Sequence, residues 1–111
     1  MSMINSSRWV KLNFAQQLGN IASELARARY WESKNDSVTC TKSLERVLEL
    51  VELTLSDDRW RKRRKELARL NEVLCDRFSG QKFYHVSLDE IGKYCITFAL
   101  HDKQIERRDD P

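Results

Sequence analysis

Apolar side chains recur at steps of three and four in four successive stretches of this chain. That spacing winds each set onto one face of an α-helix. Phe14, Leu18, Ile21, Leu25 and Ala28 make the first stripe, in a helix expected from about Phe14 to Ser33. Cys40, Leu44, Val47, Leu48, Val51 and Leu55 make the second, over about Val38 to Leu55. Trp60, Leu67, Leu70, Leu74 and Phe78 share a face when Asp57 to Phe78 is read as one helix. Leu88, Ile91, Cys95, Phe98, Ala99 and Ile105 make the fourth, in a helix ending near Ile105. The one Pro is the last residue and there are only three Gly, so little interrupts these helices. Strand-like alternation is absent, and Lys82 to Leu88 is too short to build a sheet. The expected fold is all-α, a four-helix antiparallel up-and-down bundle. It is one domain over residues 1–111, with a short lead at 1–12 and a frayed polar tail at 106–111.

The boundaries carry their own signals. Asn13 with Gln16 resembles a capping box, as does Ser87 with Glu90. Asn35-Asp36-Ser37 ends the first helix and offers caps to the second. Ser56-Asp57-Asp58 caps the third and puts acids in its first turn, where the helix dipole favours them. Gly80 is a left-handed stop. Leu50 and Leu53 fall off the second stripe and either widen the buried face or mark a contact with a second chain. Ala15, Ala22 and Ala26 flank the first stripe and permit close helix approach.

Composition narrows the class further. Hydrophobic residues make up 41 % and charged residues 33 %, too apolar for disorder and too charged for a membrane span. No apolar run approaches the roughly 18–20 residues that cross a bilayer. The first residues lack the apolar core of a signal peptide. Cys40, Cys75 and Cys95 are odd in number and far apart, which reads as reduced core thiols in a cytoplasmic protein.

The net charge of +3 has one address. Ser56 to Gly80 holds eight Lys/Arg and five Asp/Glu, and the rest of the chain has twelve of each. Arg59, Arg61, Lys62, Arg63, Arg64 and Lys65 span under two helical turns and cannot share a face. Arg59, Arg61, Lys62, Arg63 and Lys65 are the candidate contacts to an anion or nucleic acid, on a basic helix around residues 59–69. Against that use, Asp57, Asp58 and Glu66 dilute the field. Arg64 is four after Trp60 and three before Leu67, inside the apolar stripe. Leaving it buried and unpaired would cost roughly 3–5 kcal/mol, so a buried ion pair is expected. Glu49 is the candidate partner, with Glu45 and Glu24 as alternatives. Gln17, Asn20, Glu24 and Arg27 make a polar flank on the first helix, ending near Trp31. Glu24 and Arg27 are spaced to pair locally, or the flank faces a basic helix or a second subunit.

His85 and His101 lie in different elements without the Glu-x-x-His pattern of di-iron bundles, so no metal or cofactor is expected. No phosphate loop, nucleophile elbow or Ser/His/Asp set is present, and no catalytic residue or small-molecule substrate is assigned.

RWVKLNFAQQLGNIASELARA (Arg8 to Ala28), SLERVLELVELT (Ser43 to Thr54) and ELARLNEVLCDRF (Glu66 to Phe78) together resemble a family of small uncharacterised prokaryotic proteins. The resemblance covers about residues 8–78 and implies a helical bundle without an established activity. The HEPN bundles are a more distant analogy. Their ribonuclease members place a His shortly after an Arg, whereas Gly80 and a loop separate Arg77 from His85 here, so that nuclease activity is not implied. The expectation is a non-enzymatic interaction or accessory subunit, with a protein partner or a homodimer. Trp31, Phe83 and Tyr84 are candidate anchors. A nucleic-acid-binding module is the alternative.

Overall fold

The computed structural model describes residues 6–79 and 86–108, with side chains described for 7–79 and 86–100. Gly80, Phe83, Tyr84, His85, the side chains of His101 and Ile105, and the extreme ends of the lead and tail lie outside it. The chain is an all-α bundle with no strand among the described residues. A single turn, α1 (Ser6–Trp9), precedes α2 (Phe14–Ser33) and α3 (Ser37–Leu55). A 3-10 segment (Asp58–Arg63) leads into α4 (Arg64–Ser79), and α5 (Leu88–Arg108) closes the fold.

The caps explain these limits. Asn13 Oδ1 accepts from the Gln16 amide at 2.8 Å while Gln16 Oε1 accepts from the Asn13 amide at 2.9 Å, the reciprocal pair that starts α2. Asn35 turns the chain at φ 60°, a left-handed geometry that Asn tolerates better than most residues. Asp36 then accepts from the Thr39 amide at 3.0 Å and from its hydroxyl at 2.8 Å to start α3. The Glu90 amide donates to Ser87 Oγ at 3.1 Å before α5. That helix continues to Arg108, past the expected end near Ile105.

The stretch expected as one helix from Asp57 to Phe78 is two pieces. Trp60 has non-helical torsions (φ −103°, ψ 24°), so the α-helix begins only at Arg64. Asp57 supplies the cause. Its carboxylate accepts from the Arg59 amide at 3.0 Å and from the Arg59 guanidinium at 2.7 Å, which winds the next residues tightly. Trp60 is thereby set over α2 rather than in register with Leu67. Phe78, expected inside, is 40 % exposed.

α2 is the central helix, packed on α3 along one side and on α5 along another, while α4 packs mainly on α3. Phe14, Leu18, Ile21, Leu25 and Ala28 are fully buried between these neighbours. Phe14 meets Trp60 and Phe98 edge to face at 5.1 and 5.0 Å, joining three elements at one end of the core. Leu50 is buried and Leu53 packs against the core, so these leucines widen the inner face of α3. Trp31 is half-buried against the core rather than an exposed anchor, with Tyr30 edge to face at 5.0 Å.

One polar residue crosses this core. Gln17 is fully buried and donates to the Trp9 carbonyl at 2.9 Å while accepting from the Trp60 indole at 2.9 Å. The Trp9 indole in turn donates to Thr54 Oγ1 at 3.1 Å. The lead and the 3-10 segment are thus pinned to α2 and α3 by hydrogen bonds sheltered from water. Gln17→Leu keeps volume but leaves the Trp60 N–H without its acceptor and the Trp9 carbonyl with only the Leu12 amide as donor, and should cost about 1–3 kcal/mol in urea unfolding. Unchanged stability would show that the bridge contributes only packing.

Candidate functional site

The six cations of residues 59–65 separate into two groups. Arg59 is locked internally: it chelates Asp57, donates to the Leu12 carbonyl at 2.9 Å, and lies 4.5 Å over the Trp60 ring. Arg63 is half-buried, its guanidinium 5.6 Å from the Phe14 ring centre and 5.8 Å from that of Phe98. Arg64 is exposed and donates to Asp58 at 3.1 Å. The expected burial of Arg64 as a pair with half-buried Glu49 therefore does not occur. Arg64 is the first residue of α4, one turn before Leu67, and the break separates it from Trp60, so the stripe that is buried in α4 starts only at Leu67. Arg61, Lys62 and Lys65 are exposed and make no ion pair among the described residues.

The buried charge lies on α2 instead. The Glu24 side chain is only 9 % exposed, with Arg27 on one carboxylate oxygen at 3.0 Å and Arg46 of α3 on the other at 3.4 Å. The local Glu24–Arg27 pair follows from the three-residue spacing, but the burial does not follow from reading these residues as a flank. Residues 14, 17, 18, 21, 24, 25 and 28 complete one helical face, so Gln17 and Glu24 belong to the inner stripe. That register was visible in the sequence, whereas Arg46 as the second partner was not.

A groove opens where α4 and α5 do not pack closely. Its volume is about 440 Å³. Leu70 and Val73 of α4 face Val86, Ile91 and Tyr94 across it. Arg69 and Glu90 stand on its opposite walls. Tyr94 is 42 % exposed, and burial raises its phenol above the ordinary value. Arg69 makes no ion pair among the described residues, and Glu90 accepts from Ser87.

The thiols have separate environments. Cys95 is buried and its thiol is pushed up to about 12 by desolvation, which keeps it protonated and inert. Cys40 is buried and raised for the same reason, and Cys75 is exposed.

Asp57 titrates below its ordinary value of 3.8, chiefly because the Arg59 side chain donates to it. A carboxyl that binds its proton less readily when folded stabilises the fold above the unfolded value. That stability is lost as pH falls through the lower, folded value. Asn retains the capping oxygen but not the charge. Asp57→Asn should therefore cost on the order of 1 kcal/mol at pH 7, and the difference from the parent should shrink as pH falls below 3.8. Denaturation curves offset equally at every pH would contradict the pairing.

No helix among the described residues is long and apolar enough to cross a membrane. No protein-family model, curated protein or solved structure matches this chain.

Proposed function

We propose that this chain is a non-catalytic, cytoplasmic interaction subunit that pairs with a second copy of itself across the α4–α5 groove. The observation that carries the reading is the apolar groove with one cation and one carboxylate on opposite walls. In a two-fold dimer every contact occurs twice, with residue i on j and j on i. An axis passing between Arg69 and Glu90 sets each against the other's counterpart, while Tyr94 brings a half-exposed ring to the centre. Aromatic and Arg side chains of this kind commonly anchor interfaces. Seven residues line the groove, against roughly 20–30 a side in a standard stable interface, so the dimer is weak and forms at micromolar concentrations. The unpaired thiols fit a reducing compartment.

The basic cluster supports a second reading, nucleic-acid binding, less well. Three of its cations already have partners, Arg59 and Arg64 in ion pairs with neighbouring acids and Arg63 over two rings, which leaves Arg61, Lys62 and Lys65, without one among the described residues, for phosphates. Three contacts are fewer than the roughly six to ten that give tight, strongly salt-dependent binding.

Sedimentation equilibrium at high micromolar concentration tests the pairing. The parent should self-associate. Arg69→Glu and Glu90→Arg should each weaken the dimer by roughly tenfold, and the double variant should restore it. A strict monomer, or a double variant weaker than either single one, would overturn the self-association.

A further inference from the structure

A second recess, of about 360 Å³, lies between the lead, α2 and α3. Trp9, Leu12 and Leu50 give it an apolar floor. Glu24, Arg27 and Asn20 of α2 form a polar wall, with Arg8 on the lead side. Arg46 lies one helical turn before Leu50 and reaches the same Glu24 carboxylate.

The charges here do not balance. A buried carboxylate needs one cation to offset its desolvation. Glu24 holds two, one on each oxygen and each from a different helix. The Arg27 and Arg46 side chains are 63 % and 50 % exposed, so most of their N–H groups remain open to solvent. A guanidinium carries five N–H donors, and one nitrogen of each is committed to Glu24. The buried carboxylate therefore fixes two forks side by side, with an excess positive charge and an apolar surface next to them.

We propose that this recess binds a small organic oxyanion. Its carboxylate or phosphate lies between Arg27 and Arg46, and its flat apolar body lies on Trp9, Leu12 and Leu50. The anion offsets the excess positive charge and uses the donors Glu24 has already oriented, so little side-chain freedom is lost on binding. Glu24 acts as a positioning residue. The site is separate from the α4–α5 groove, so its occupancy does not depend on self-association.

The test is titration of the full chain with phenyl phosphate and with benzoate, followed by calorimetry and by the Trp9 indole N–H resonance. That proton donates to Thr54 beneath the recess. Saturable binding of either probe with a shift of the Trp9 signal is expected, and the better probe identifies the preferred anion. Inorganic phosphate, which lacks the apolar body, should bind severalfold more weakly. Arg27→Gln and Arg46→Gln should each lose about tenfold in affinity, while Lys42→Gln on α3 binds as the parent does. Each arginine variant leaves the other cation on Glu24, and circular dichroism reports that the bundle is intact. No saturation by about 20 mM of either probe would overturn the proposal, as would binding that survives both arginine changes in folded protein.

Discussion

Burial of α2 between two neighbours is the constraint on which the other elements depend. A helix covered on one side needs a single apolar stripe, whereas one covered on two sides must fill a wider arc. α2 fills that arc with five fully buried apolar residues and with Gln17 and Glu24. The two polar residues cannot be buried without partners, so each fixes something outside its own helix. Gln17 fixes the lead and the 3-10 segment, and Glu24 fixes α3 through Arg46. The core thereby specifies the positions of the peripheral segments as well as excluding water.

The charge distribution follows from the same packing. The 3-10 segment brings Trp60 and Arg63 to the Phe14 end of α2, where the rings accept a guanidinium on their faces. Arg59 and Arg64 are drawn to the acids just before them. A cluster that looks in sequence like a uniform basic surface is therefore divided between three cations with partners and three without an ion pair among the described residues. The charges that define recesses are elsewhere, at Glu24 with its two arginines and at Arg69 and Glu90.

Much of the fold was legible because it is written locally. Asn13 and Gln16 mark the start of α2, Asp36 the start of α3 and Ser87 the start of α5, all through contacts within a few residues. The inner stripes of α2, α3 and α5 follow from helical spacing for the same reason. The break at Trp60 was hidden because the apolar register continues across it, and the chelate of Arg59 by Asp57 that tightens the turn competes with helix at short range. Phe78 fits the stripe of α4 and is still 40 % exposed, which helical spacing alone does not reveal. The candidate recesses were least legible. Arg46 reaches Glu24 from another helix, and the groove exists because α4 follows α3 rather than closing on α5.

Native-state hydrogen exchange measures the central position of α2 directly. Amides that lie under two packed neighbours open only when the whole domain unfolds, whereas those of a helix attached on one side open in smaller fluctuations. The amides from Leu18 to Ala28 should exchange with a free energy equal to that of global unfolding in urea, and those of α4 should exchange with a smaller one. Protection in α2 equal to or below that in α4 would contradict the arrangement.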